Sequence, residues 1–122
     1  MRELDRAGIP YLVQDDLAPL CNRGTLPGGS REHCVASAEL VVAFGGDGTI
    51  LAAARLVGER QLPILGVNLG KLGFIAEVSP DEIEESMRDF IAGRTVIEDR
   101  LVLQATTPGR PGKVYHAVND IV

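Results

Sequence analysis

The pattern of apolar positions is clearest in the middle of the chain. An unbroken apolar run at residues 40–44 is followed by a glycine-rich turn at 45–49 and an Ala- and Leu-rich run at 50–57. These patterns are typical of a buried strand and of a helix, and a second uncharged apolar run at 63–67 predicts another strand. Strand, helix and strand in this order predict a parallel pair with a right-handed crossover. The loops that follow the two strands should therefore meet at one edge of the sheet.

The N-terminal third has a weaker pattern. Residues 1–7 resemble the last turns of a helix that Gly8 ends, and residues 10–13 predict a short strand. Residues 14–32 are polar and rich in glycine and proline, so they predict either a mobile flap or a loop with a short helix at 17–21. Since an α/β domain normally opens with a strand, we expect a first strand to be missing from this chain.

The sequence predicts the helix after residue 79 more clearly than the connection that precedes the first apolar run. Residues 35–39 form a short connection whose helical or irregular character the sequence leaves open. Ser79 and Glu82 have the spacing of a capping box, with proline between them at the first helical position. The helix that they begin carries one apolar stripe and ends at Gly93, and its stripe consists of Ile83, Met87, Phe90 and Ile91.

The pattern changes near residue 94, where we predict a domain boundary. Residues 95–107 and 113–122 predict two antiparallel strands joined by a turn at 108–112. The chain is therefore predicted to comprise an α/β domain at 1–94 and the start of a β-rich domain at 95–122.

Composition excludes several classes of protein. The net charge of −5 argues against non-specific binding to nucleic acid or to anionic membranes. No apolar run approaches the roughly 20 residues of a membrane span, and the charged N-terminus does not resemble a signal peptide. Two cysteines, Cys21 and Cys34, form neither a disulfide framework nor a zinc pattern, which favours a cytoplasmic protein. His33 and Cys34 are predicted to lie in a surface loop rather than in a metal site.

The turn at residues 45–49, Gly-Gly-Asp-Gly-Thr, carries the strongest chemical signal. Backbone N–H groups of such a turn and of a following helix N-terminus attract anions, and glycines let a phosphate approach closely. Asp47 would repel a phosphate, so it fits better as an acceptor of a hydroxyl proton or as a metal ligand. The alternative is a simple tight turn, because Gly-Gly and Asp-Gly are common turn dipeptides.

Weaker signals follow the second strand and lie close to the C-terminus. Residues 68–74 approximate G-x-G-x-x-G, and Phe74 at their end could stack on a flat ligand such as adenine or belong to the core. Asn119 and Asp120 could bind ribose or adenine, although residue type alone favours a turn. His116 is predicted to be a solvated strand residue rather than a catalyst.

Three motifs in order resemble the NAD kinase family. Residues 45–49 resemble the GGDGT signature that NAD kinases share with diacylglycerol and sphingosine kinases and, more distantly, 6-phosphofructokinases. The continuation Ile-Leu-Ala-Ala-Ala-Arg at 50–55 is similar to NAD kinases rather than to the lipid kinases. Residues 66–74 and 117–122 resemble the second and third NAD kinase motifs, and residues 97–103 resemble the run into that family's second domain.

The resemblance implies a Rossmann-like α/β fold and a specific reaction. ATP or polyphosphate would phosphorylate the adenosine 2′-hydroxyl of NAD, with magnesium neutralising charge. It also implies a role for each site residue: Asp47 as the base, Gly46, Gly48 and Thr49 as the phosphate cradle, Phe74 stacked on adenine, and Asn119 with Asp120 on the adenosine.

Some features of the family are absent from this chain. Family members begin with a strand and an Asn-Pro turn, continue well past the third motif and assemble as oligomers, so this chain resembles a middle piece of an NAD kinase. Two other hypotheses stay open: a non-catalytic dinucleotide-binding module, and a lipid kinase domain, which the sequence after Thr49 and the acidic charge disfavour.

Overall fold

The computed structural model describes residues 2–21, 26–70, 75, 78–110 and 112–118. The elements follow in chain order: α1 (Arg2–Ala7), β1 (Val13–Gln14), β2 (Gly28–Gly29), α2 (Arg31–Ser37), β3 (Val41–Phe44), α3 (Asp47–Val57), β4 (Ile64–Val67), α4 (Ile83–Ile91), β5 (Leu103–Thr106) and β6 (Val114–Ala117).

The parallel pair β3 and β4, joined by α3, is the centre of the fold. Val41 lies opposite Ile64, and the register continues to Phe44 opposite Val67, so both strands end at the same edge. Ala43 of β3 and Ile50 of α3 form a small buried cluster between the strand and the helix. The predicted parallel β-α-β unit is therefore confirmed, and with it the α/β fold class.

The helix N-terminus begins earlier than the sequence pattern indicates. Gly46 is the N-cap, and Asp47, Gly48 and Thr49 form the first turn of α3 instead of a loop before it. The backbone N–H of Thr49 donates to the carbonyl oxygen of Gly46 at 2.9 Å. An acidic residue in this first turn interacts favourably with the helix dipole.

The prediction of a surface loop at His33 and Cys34 is wrong, because both residues lie in α2. Ser30 caps this helix by accepting the backbone N–H of His33 at 3.3 Å. The His33 ring packs so closely on Gly29 that a Cβ there would lie 2.7 Å from it. Packing against β2 thus extends the helix into a stretch that the sequence pattern assigned to a loop.

The rest of the predicted 14–32 loop also contains regular structure. A 3₁₀ turn at Ala18–Leu20 agrees with the short-helix alternative, while β1 and β2 form a two-residue parallel pair. The strand predicted at 10–13 is observed only at Val13–Gln14. A strand of two residues is too short to be predicted from an alternation of apolar and polar positions.

The first C-terminal strand is shorter than predicted, and residues 119–122 of the second predicted strand lie outside the described residues. β5 and β6 pair antiparallel over four residues each, with Leu103 opposite Ala117, whereas residues 94–102 form no regular element. His116 is exposed on β6, as predicted. Val96 and Leu101 are exposed as well, and neither lies in a strand although both are apolar. The boundary at residue 94 stays a prediction.

The predicted capping box is present before α4. The Oε2 atom of Glu82 accepts the backbone N–H of Ser79 at 2.9 Å and its hydroxyl at 2.6 Å. A short 3₁₀ turn, Pro80–Glu82, leads into α4, and Gly93 follows the helix with φ +66°. The predicted apolar stripe is only partly covered, since Ile91 is exposed.

This capping box should make stability depend on pH. The hydroxyl and the backbone N–H of Ser79 lower the pKa of Glu82 from its ordinary value of 4.5. A carboxylate with a lowered folded-state pKa stabilises the fold above the unfolded-state pKa, and that contribution is lost as pH falls through the folded-state pKa. We expect wild type to exceed Glu82→Gln in unfolding free energy above pH 4.5, with the difference shrinking on acidification.

Urea denaturation across this pH range measures the effect. Ser79→Ala should reproduce part of the loss, because it removes the hydroxyl that contributes most to the lowered pKa. A difference between wild type and Glu82→Gln that does not vary with pH would contradict the assignment.

None of the helices in the described ranges is long and apolar enough to cross a membrane.

Candidate functional site

The candidate site lies where β3 and β4 end. The backbone N–H of Gly45 donates to the carbonyl oxygen of Val67 at 2.9 Å, which ties the first residue after β3 to the last residue of β4. The two following segments, residues 45–49 and 68–78, therefore start side by side. We call them the β3 loop and the β4 loop.

Gly45 is fixed by geometry as well as by hydrogen bonding. Its φ of +154° lies in the region that favours glycine, and a Cβ there would lie 2.2 Å from Thr49 Oγ1. The Thr49 side chain therefore occupies the space beside Gly45. This close approach lets the chain turn from β3 directly into α3.

Gly46 and Gly48 are open to solvent. Both residues are exposed, and a Cβ at either position would meet nothing within 4 Å. Their lack of side chains is therefore not required by internal packing. At a helix N-terminus, bare backbone of this kind lets an anion approach the N–H groups of the first turn.

Asp47 links the two loops. Its Oδ1 atom accepts the backbone N–H of Ile75 at 3.1 Å, across 28 positions of sequence. Asp47 is partly buried, and the Ile75 side chain packs against the cluster of Ala43 and Ile50. The carboxylate is therefore held at the N-terminus of α3 by a backbone group that the core itself positions. The prediction that the two loops share one edge is confirmed.

Asn68 organises the start of the β4 loop. Its Oδ1 atom accepts the backbone N–H of Gly70 at 2.9 Å, and its own N–H donates to the carbonyl oxygen of Val78 at 2.8 Å. The φ of Asn68 is not positive, so the residue does not stand in for a glycine in left-handed geometry. The signal that could have identified its role is the tendency of Asn to bond the backbone two residues ahead.

Three predicted site residues, Phe74, Asn119 and Asp120, lie outside the described residues. Their predicted roles stay predictions. The strand that leads towards Asn119, β6, comes close to α3.

A surface cleft of about 500 Å³ lies elsewhere, between α1 and β1. Its lining includes Ile9, Tyr11 and Pro27 and none of the predicted site residues. The candidate site is therefore marked by backbone geometry and by Asp47, and this cleft is not part of it.

The geometry suits a hydroxyl group brought next to a phosphate chain. A helix N-terminus with open glycines accepts an anion, and a positioned carboxylate beside it can accept a proton from an alcohol. The family model for the ATP-NAD kinase N-terminal domain matches residues 25–95.

The chain belongs to this family.

Individual relatives agree with the family match. An NAD kinase from Geobacter sp. (strain M21) is 42% identical over 118 residues, which are 94% of this chain and 41% of that protein. An NAD kinase from Bacteroides fragilis (strain YCH46) is 51% identical over 67 residues, which are 55% of this chain and 23% of that protein.

A solved structure shares the fold. Yeast NADH kinase complexed with NADH is 26% identical and superposes with a TM-score of 0.77, covering 97% of this chain and 41% of that one. The chain thus spans about two fifths of the length of this kinase and of the Geobacter relative.

Proposed function

We propose that the protein phosphorylates the adenosine 2′-hydroxyl of NAD, with ATP or polyphosphate as the donor. The observation that carries the proposal is the Asp47 carboxylate, which Ile75 holds at the N-terminus of α3 in a chain of this family. The relatives named NAD kinase and the yeast kinase that binds NADH support the choice of a nicotinamide dinucleotide as substrate.

In the proposed reaction Asp47 accepts the proton of the 2′-hydroxyl. The freed oxygen forms a bond to the terminal phosphorus of ATP while the bond from that phosphorus to ADP breaks. The products are NADP, ADP and one proton. Positioning dominates such transfers, since the phosphoryl group passes through a loose transition state.

The other residues would bind the substrates. Gly46, Gly48 and Thr49 surround the first turn of α3, where N–H groups favour phosphate. We propose that Phe74 stacks on the adenine of NAD and that Asn119 and Asp120 hold its adenosine.

Magnesium fits this site only as a partner of the phosphates. In the described part of the chain, no group of three or more His, Cys, Asp or Glu side chains is placed to hold a metal ion. Magnesium commonly binds through one or two carboxylates together with substrate phosphates, and Asp47 offers one such carboxylate. When bound, the ion would neutralise charge on the donor phosphates.

An assay for NADP tests the proposal. The full chain is incubated with NAD, ATP and magnesium, NADP is measured by a cycling assay, and NAD binding is measured by calorimetry. Formation of NADP supports the proposal. NAD binding without product would instead indicate a dinucleotide-binding module, and phosphorylation of diacylglycerol would indicate a lipid kinase.

Gly48 offers a test that separates ligand contact from folding. Gly48→Ala should leave stability unchanged or raise it by up to about 1 kcal/mol, because alanine favours helices and the site is open. The added methyl group obstructs phosphate approach, so NADP formation should fall at least roughly tenfold. Thermal unfolding and initial rates measure the two effects.

Gly109→Ala is the matched control. Gly109 is also open to an added Cβ but lies in the turn between β5 and β6. Its substitution should not change the rate. An unchanged rate in Gly48→Ala would rule out close contact between this backbone and a phosphate.

A further inference from the structure

Asn68 is a buried polar residue at the start of the β4 loop. Its exposed fraction is 8%, and burying an amide is costly unless it forms hydrogen bonds. Its Oδ1 atom accepts the backbone N–H of Gly70 at 2.9 Å, which fixes the first turn of the loop. A leucine of similar size would fill the space but could not accept this bond.

The same residue also closes the loop at its far end. The backbone N–H of Asn68 donates to the carbonyl oxygen of Val78 at 2.8 Å, and the N–H of Val78 donates to Gly66 at 3.3 Å. Val67 and Val78 form a parallel bridge. The loop is thus anchored at both ends beside the last residue of β4.

Ile75 connects this anchored loop to the reaction site. Its N–H donates to Asp47 Oδ1 at 3.1 Å, and its side chain packs on Ala43 and Ile50. Ile75 lies between the two anchored ends of this loop, at Asn68 and Val78. A displacement of about 1 Å at a reacting group can cost as much as a hundredfold in rate.

We propose that Asn68 is a positioning residue for Asp47, because it fixes the start of the segment that carries the Ile75 N–H. The catalytic part of this inference rests on the proposed function, whereas the hydrogen-bond part does not. Asn68 has no role in the phosphate cradle assigned to the β3 loop. Its effect should therefore fall on turnover rather than on NAD affinity.

Two variants of Asn68 test the proposal. Asn68→Leu removes the acceptor, and we expect kcat to fall about ten- to a hundredfold while KM for NAD stays within roughly twofold. Asn68→Asp keeps an acceptor oxygen for Gly70 and should recover most of kcat. Val35→Ala is the control for general destabilisation, because Val35 is buried in α2 and belongs to neither loop of the site.

A spectroscopic readout separates this inference from the proposed function. In ¹H–¹⁵N NMR spectra, the Ile75 amide should shift upfield in Asp47→Ala, because its acceptor is lost. Asn68→Leu should shift the same resonance in the same direction, and Asn68→Asp should not. This measurement needs no activity, so it tests the positioning even if wild type forms no NADP.

Two results would overturn the inference. One is an Ile75 amide resonance that stays at its wild-type position in Asn68→Leu. The other is a loss of kcat and stability in Asn68→Leu that matches Val35→Ala, because Asn68 would then act only by supporting the fold.

Discussion

Asp47→Asn should lower the rate of NADP formation by about 10²- to 10⁴-fold, the usual contribution of a general base. NAD binding should stay within roughly tenfold, since the lost interaction acts mainly in the transition state. The amide keeps an oxygen that can accept the Ile75 N–H, so the link between the two loops survives. An amide cannot take the hydroxyl proton at neutral pH. Steady-state kinetics and calorimetry with NAD measure the two effects.

Asp47→Ala is the companion variant. It removes both the base and the acceptor for Ile75, so it should also loosen the β4 loop and weaken NAD binding further. Equal losses of binding and turnover in Asp47→Asn would contradict the assignment of Asp47 as the base.

Gly45→Ala should destabilise the fold by about 3 kcal/mol or more. Two costs combine at this position: a backbone conformation reserved largely for glycine, at about 1–3 kcal/mol, and overpacking, at a similar cost. The new Cβ would lie 2.2 Å from Thr49 Oγ1 and 2.9 Å from Thr49 Cβ, so rotation of the hydroxyl alone cannot relieve the clash. Urea denaturation measures the loss.

Gly8→Ala is the control for the energetic cost of placing alanine at a positive φ. Gly8 has φ +66°, but a Cβ there meets nothing within 4 Å, so only a cost of about 1–2 kcal/mol is expected. If Gly45→Ala were no more destabilising than Gly8→Ala, the close packing of Thr49 on Gly45 would be wrong.

The central part of the fold could be predicted because its signals are local and agree with one another. The apolar runs that contain β3 and β4 carry no charge, and the segment between them is rich in alanine and leucine. Periodicity, turn residues and connection handedness then all favour one parallel unit. The capping box before α4 was predictable for the same reason, since Ser79 and Glu82 form a self-contained pair.

Other elements depend on contacts that local pattern does not encode. The helix that contains His33 and Cys34 forms where Ser30 supplies a cap and the His33 ring packs on Gly29, within a stretch whose glycines and proline favour a loop. β5 is shorter than predicted, since residues 94–102 before it, including the exposed Val96, form no regular element.

Some features of the candidate site could likewise be predicted from the sequence, and others could not. Asp47 and its neighbouring glycines could be proposed as site residues from residue type and spacing alone. The bond from Ile75 to Asp47 could not, because it joins a backbone N–H, which any residue but proline has, to a carboxylate 28 positions away. The bond from Gly70 to Asn68, by contrast, is local and follows the tendency of Asn to accept a hydrogen bond from the backbone two residues ahead.

The most direct test of the central claim observes the Asp47 carboxylate itself. In protein carrying ¹³C-labelled aspartate, the Asp47 carboxyl resonance is identified by its loss in Asp47→Asn and followed as NAD is added. We expect the resonance to shift with NAD and to shift far less with an NAD analogue that lacks the adenosine 2′-hydroxyl. The amide shifts of Gly46 and Gly48 report when NAD has saturated the protein. A carboxyl resonance that has not moved at that point would contradict the claim that this carboxylate faces the sugar hydroxyl.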